Sequence, residues 1–273
     1  MRFISSLVQR LGQSTPARSA CRAQLRAARQ EDRDQYLALA AYYLDLAQIV
    51  FGTTASEPPE SREQRSASVF AEMWRALHQT ERLSDFEYLL ARVIRGHIPE
   101  RAPLASPYPL VVKLRLLDPD TRFAFIAYEL EKWPLRWVAL VLRKRPLALH
   151  RLFAEVRCEL CGIGWDSLGE AERDCLEAIS VSLDRNPDLR ANRILSSRLA
   201  QHPRAATVRA KWLELRPELV EVRHRYLPDQ EARERILGTL YTAIRETPIT
   251  RPKLREKMAN TLHLSRRDRA KVS

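Results

Sequence analysis

Residues 134–160 read PLRWVALVLRKRPLALHRLFAEVRCEL, and this stretch decides the fold. Val138, Val141 and Leu142 form one apolar stripe, and Leu149, Phe153, Val156 and Leu160 form a second. Both have the three-to-four spacing of amphipathic helices. Pro134 and Pro146 suit the start of a helix, where a missing N–H removes no bond. Arg143-Lys144-Arg145 lies between the two segments. Two short helices, a tight polar turn and three cations at the start of the second helix follow helix-turn-helix grammar.

The same periodicity extends in both directions. Asp118-Pro119 predicts an N-cap followed by Pro at the first helical position, opening a helix that buries Phe123, Ile126, Ala127 and Leu130. Upstream, Tyr36, Leu39, Ala40, Tyr43, Ala47 and Val50 predict a helix with one buried face. Thr53 to Arg62, with Pro58-Pro59, predicts a loop. Val69, Phe70, Met73, Trp74 and Leu77 mark the next stripe. A third begins at Ser84, where Ser84 and Glu87 form a capping box, and continues through Phe86, Leu89, Leu90, Val93 and Ile94. Four prolines between 98 and 110 predict a linker and a domain boundary. Gly162 and Gly164 break the chain, and further amphipathic helices follow from Trp165, interrupted near Pro187, Pro203 and Pro228. Leu176, Ile179, Trp212, Leu215 and Leu219 suggest a bundle with its own core.

No strand alternation of useful length and no internal repeat is present. The expectation is an all-α chain. It has a basic arm (1–30), a helical domain (31–97), a linker (98–110), a helix-turn-helix domain (111–162), a C-terminal helical extension (165–248) and a basic tail (249–273).

Composition narrows the function classes. The 273 residues allow one to three domains. Seven glycines against sixteen prolines disfavour phosphate-cradling loops, so P-loop and dinucleotide-binding readings fall away. Four cysteines in a chain of this length are not a disulfide framework. No apolar run approaches the roughly 20 residues of a membrane span. The expectation is a cytoplasmic protein without a membrane partner.

The net charge of +12 is unevenly placed. Residues 1–30 hold six Arg and no acid, and residues 249–273 hold eight Lys or Arg against Glu256 and Asp268. The two tails are either solvated termini or arms that neutralise phosphates. The first thirty residues also mimic the composition of a mitochondrial transit peptide, a reading discounted against the rest of the chain. Within the neutral remainder, residues 131–157 carry seven cations against Glu131 and Glu155. That local excess is the best internal evidence for a DNA partner. Arg143, Lys144 and Arg145 would meet phosphates beside a helix N-terminus. Leu147, Ala148, His150 and Arg151 would lie toward the major groove. The alternative is a basic helical hairpin that binds protein.

Cys158-x-x-Cys161, with Cys175 and His150 nearby, matches no zinc spacing and reads as buried thiols. No nucleophile, triad or metal-ligand pattern stands out, so no catalytic residue, metal site or cofactor is expected. Trp133, Trp137, Trp165 and Trp212 read as core or interface anchors.

Two blocks resemble the extracytoplasmic-function sigma factors of bacterial RNA polymerase. Phe70-Ala-Glu-Met-Trp74, the loop His78 to Leu83, and Ser84-Asp-Phe-Glu-Tyr-Leu-Leu90-Ala-Arg92-Val93 are similar to the family's promoter-melting domain. Leu117-Asp-Pro119-Asp-Thr-Arg122, Val138-Ala139, Ala148-Leu149 and Val156-Arg157-Cys-Glu-Leu160 are similar to its helix-turn-helix domain, which reads the upstream promoter element. The resemblance implies a DNA-binding initiation factor that guides core RNA polymerase to promoters and aids melting. It implies base capture by a loop containing Gln79, Thr80 and Arg82, and strand tracking by Arg92 and Arg95. Phe86 and Tyr88 could stack on bases, although Phe86 also sits on the apolar stripe. Gln64, Ser68 and Glu72 would face the polymerase.

The chain departs from the family pattern at Gln64, Ala67 and Ser68, at Leu89 and Gly96, and at Trp137 and Leu152. Arg143 stands where the family's turn has Gly, a position that resists a β-carbon if φ is positive. The alternative is a sigma-like interaction protein that binds polymerase or a regulator without promoter recognition. Leu168-Gly-Glu-Ala-Glu-Arg173 with Asn186-Pro187-Asp-Leu189 is faintly similar to helical segments of anti-sigma regulators, which adds such a regulatory protein as a partner.

Overall fold

The computed structural model describes residues 18–54, 57–98, 106–184 and 189–247. The first seventeen residues of the basic arm, most of the proline linker and the basic tail lie outside them. The described residues are all-α, with no strand. In chain order the helices are α1 (Arg18–Ala28), α2 (Arg33–Thr54), α3 (Pro59–Arg75) and α4 (Leu83–Gly96). Then come α5 (Pro109–Leu116), α6 (Pro119–Phe125), α7 (Leu135–Leu142) and α8 (Pro146–Leu160). The last four are α9 (Glu170–Asp184), α10 (Leu189–Gln201), α11 (Pro203–Tyr226) and α12 (Gln230–Arg245).

The fold is organised around α2. Asp32 caps it, its carboxylate accepting from the Gln35 N–H at 3.0 Å. Sequence periodicity predicts one buried face, but α2 is buried on nearly every side. It packs against α1, α3, α5, α11 and α12. Among the described residues it is the one helix long and apolar enough to cross a membrane, which corrects the reading that no such run exists. In the fold those apolar side chains are covered by neighbouring helices. Its buried polar side chains all have partners. The Tyr36 hydroxyl donates to the Phe70 carbonyl, the Tyr43 hydroxyl to Glu87 at 2.7 Å, and the Gln48 amide to the Ser66 hydroxyl at 2.8 Å. Such satisfaction removes the cost of burying them. Gly52 permits a close helix crossing, since a β-carbon there would lie 2.2 Å from the Tyr226 ring of α11.

The connection expected over 53–62 is much shorter. Thr53 and Thr54 end α2 with hydroxyls donating back to the Ile49 and Val50 carbonyls. Pro59 then opens α3. The capping box expected from Ser84 and Glu87 is replaced. α4 starts one residue earlier, and the Asp85 carboxylate accepts from the Arg82 N–H at 2.8 Å and the Glu81 N–H at 3.2 Å. Glu87 instead points into the core, 2 % exposed, gripped by both Arg18 guanidinium nitrogens at 2.6 and 2.8 Å. At Asp118 the sequence reading and the structure agree, for its carboxylate accepts from the N–H groups of Asp120 and Thr121. Burial works against that charge. The bonds from Thr121 and Asp120 and the nearby Lys144 nevertheless hold the carboxyl below its ordinary range.

The proline-rich stretch does not divide the core. One apolar cluster includes Phe70 and Phe86 from before it, Phe123 and Phe153 from after it, and Leu240 near the chain's end. A second, smaller cluster joins α8 and α9 to the start of α11 through Ala154, Cys158, Leu176, Ile179 and Trp212. That smaller cluster is built mostly of side chains from the C-terminal extension, completed by Ala154 and Cys158 of α8. α11 contributes Val208 and Trp212 to the small cluster and Leu215, Leu219 and Val222 to the large one. α12 lies on α2 and α3. There Arg235 chelates Glu63 at 2.7 and 2.9 Å, and the Trp74 indole donates to the Thr247 carbonyl at 2.7 Å.

Candidate nucleic-acid interface

α7 and α8 form the helical pair that their spacing predicts. α7 ends in a left-handed residue, Arg143, at φ 54° and ψ 37°. The Arg143 N–H donates to the Leu140 carbonyl at 3.2 Å and the Lys144 N–H to the Ala139 carbonyl at 2.9 Å, which is the Schellman pattern of bonds. Glycine normally fills such a position, because a β-carbon costs about 1–2 kcal/mol there. Arg145 then takes an extended conformation and Pro146 occupies the first turn of α8. Among the described residues, no side chain caps this helix start. The amides of the first turn and the positive end of the helix dipole therefore face solvent beside Arg143, Lys144 and Arg145, all exposed. Leu147, 71 % exposed, and Ala148 complete an open surface.

A neighbouring helix adds to this surface. The Arg143 guanidinium donates to the Tyr88 hydroxyl of α4 at 2.7 Å and lies 5.4 Å from the centre of its ring. Arg92 is one turn further along α4 and exposed. The structure thus joins a cation expected to track a melted strand to the cations expected at the helix-turn-helix. Tyr88, a candidate for base stacking in sequence, holds Arg143 in the fold. Phe86 is fully buried and belongs to the core.

Several expected contacts are corrected. Thr80 is fully buried, its hydroxyl donating to the Leu77 carbonyl at 2.7 Å, so it is closed to a captured base. Gln79 and Arg82 remain exposed on either side. His150 is 7 % exposed and faces inward, because α11 covers that side of α8. Arg151 is exposed but paired with Glu155 at 2.9 Å and lies 3.7 Å from Glu177 of α9. Arg95 pairs with Asp120 of α6 at 2.5 Å. The exposed cations around this turn are therefore Arg143, Lys144 and Arg145, with Arg92 on α4. On α3, Gln64, Ser68 and Glu72 share one exposed face, with the Ser68 hydroxyl donating to the Gln64 carbonyl and Glu72 lying 3.2 Å from His97.

The joint between α1, α4 and α7 was missed by sequence reasoning. Arg18 binds Glu87 and stacks 3.1 Å above the Trp137 ring. The signal was present, since Trp137 occupies a polar position of the resembled pattern, but its partner lies over a hundred residues away. Burial raises the thiol pKa of Cys158 to about 12 and that of Cys21 to about 11, which keeps both protonated and weakly nucleophilic.

No protein-family model matches the chain, and no curated protein or solved structure matches it.

Proposed function

We propose that this protein is a sigma-like, DNA-binding transcription initiation factor that brings core RNA polymerase to promoters and aids melting. Its duplex contact would be the turn 143–145 and the first turn of α8. The observation that carries this reading is the uncapped N-terminus of α8, flanked by three exposed cations. Free amides, dipole and positive side chains all favour a phosphate at the same place. Arg92 extends the positive surface, and Gln64, Ser68 and Glu72 would present the polymerase-facing side of α3.

A second reading is a sigma-like protein that binds polymerase or a regulator without recognising promoters. One observation favours it: α4 and α7 share a core and are joined by Arg143–Tyr88 and Arg18–Trp137, which holds both DNA-facing segments on one body. A pull-down with core RNA polymerase, followed by transcription from bound promoters, separates the two. Co-elution with promoter-dependent transcription supports the first. Co-elution without it supports the second. Failure to co-elute removes the first and leaves, of the second, only a protein that binds a regulator.

A further inference from the structure

Away from the turn, α11 and the start of α7 enclose a cleft of about 830 Å³. This is within the 300–1,000 Å³ range of small-molecule sites. Its floor is apolar, with Trp133, Leu215 and Leu219 all buried. Five cations line it. Two are neutralised: Arg157 pairs with Glu129 and bonds Ser180, and Arg223 pairs with Glu131 at 3.0 Å. The other three, Lys132, Arg136 and Arg216, are exposed and make no ion pair with a carboxylate among the described residues. Lys132 is held in place by its backbone, at φ 54°, where the Trp133 N–H donates to the Ala127 carbonyl at 2.9 Å.

An apolar floor beneath three uncompensated cations is the complement of an amphipathic anion. We propose that this cleft binds a small organic anion, with an apolar body against Trp133, Leu215 and Leu219 and a carboxylate or phosphate held by Lys132, Arg136 and Arg216. Such a ligand touches α11 and also Pro134, Leu135 and Pro146, which begin the two helices of the helix-turn-helix. Occupancy would thereby stiffen that pair against the C-terminal helices. The proposal stands independently of DNA or polymerase binding.

The test is titration of the full chain with 8-anilinonaphthalene-1-sulfonate, an apolar ring system with one fixed negative charge. Decanoate, decyl phosphate and uncharged decanol serve as competitors. The expected result is saturable fluorescence, displaced by both charged competitors and not by decanol at equal concentration. Whichever charged competitor is tighter identifies the headgroup. The double substitution Lys132→Asn, Arg216→Gln weakens binding about tenfold, since each lost charge removes a charge-assisted contact. Asn tolerates the left-handed backbone at 132. Val220→Trp, at a half-exposed position lining the cleft, blocks it without touching the core. Unchanged circular dichroism certifies that these surface variants fold. Non-saturable fluorescence, displacement by decanol as effective as by the anions, or unchanged binding by both folded variants overturns the proposal.

Discussion

The connections before α4 and before α8 carry the same kind of residues, yet the folded chain treats them oppositely. Before α4, Asp85 accepts from the N–H groups of Glu81 and Arg82, and the Thr80 hydroxyl bonds its own turn. A carboxylate of the chain itself already occupies this helix start, although no side chain bonds the first-turn amides. Before α8, Pro146 removes one amide, no side chain caps the rest, and three cations surround the gap. A helix N-terminus attracts an anion only when its amides are free, so sequence polarity is a poorer guide to a phosphate site than capping.

The largest break in this comparison comes from Glu87, which is diverted from the cap into the core. Glu87→Gln should lower stability by about 3 kcal/mol, because it leaves the Arg18 charge half-buried against Trp137 without a counter-ion. Chemical denaturation measures this. A loss under about 1 kcal/mol would mean that the joint between α1, α4 and α7 is held by packing alone.

Next is the binding contrast. Replacing Arg143, Lys144 and Arg145 together with Ala should weaken duplex DNA binding by roughly two orders of magnitude and flatten the log–log salt dependence by about 2.7 units. Gln79→Ala with Arg82→Ala should change affinity less than about threefold, since the Asp85 carboxylate at that helix start already repels a phosphate. Equal losses from the two sets would mean that the two helix starts do not differ in their attraction for DNA.

Smaller effects sharpen it. Asp85→Ala should cost about 1 kcal/mol of stability by freeing two amides. Arg151 is matched by Glu155 and Glu177. Arg151→Gln should therefore change DNA affinity little, whereas Glu155→Gln should raise it by up to about threefold by removing a repelling charge. A large loss from Arg151→Gln would show that this side chain leaves its carboxylates on DNA. The smallest expected change is in stability on Arg143→Gly. Relief of the left-handed strain, about 1 kcal/mol, offsets loss of the exposed Tyr88 bond. DNA affinity falls all the same, which separates the conformational role of Arg143 from its charge.

Much of the local architecture was legible. The stripes at Val138–Leu142 and Leu149–Leu160, the Asp118 cap and the breaks at Gly162 and Pro203 all depend on residues within one or two helical turns. Positive φ at Arg143 entered only as a condition, through the Gly that the resembled pattern carries there. Less legible was which polar residues remain available. Thr80 and His150 look like Gln79 and Arg151 in sequence, and only the neighbouring backbone and α11 distinguish them. Likewise α2 carries apolar residues beyond its stripe, but nothing local says that five other helices will cover them.

Local sequence sufficed for the helical character of the chain, for the starts of α4, α6, α7 and α8 to within about one residue, and for the positive charge at the turn 143–145. Periodicity, caps and prolines act through neighbours along the chain, so they need no tertiary context. Tertiary packing is what gives the segments flanking the proline stretch one core and turns Glu87 to Arg18 rather than to a helix cap. It also ties two clusters together through α11 and lines an apolar cleft with three cations that have no carboxylate partner among the described residues. Those outcomes turn on desolvation and on ion pairs between residues far apart in sequence, whose energies depend on distances that a linear pattern does not contain.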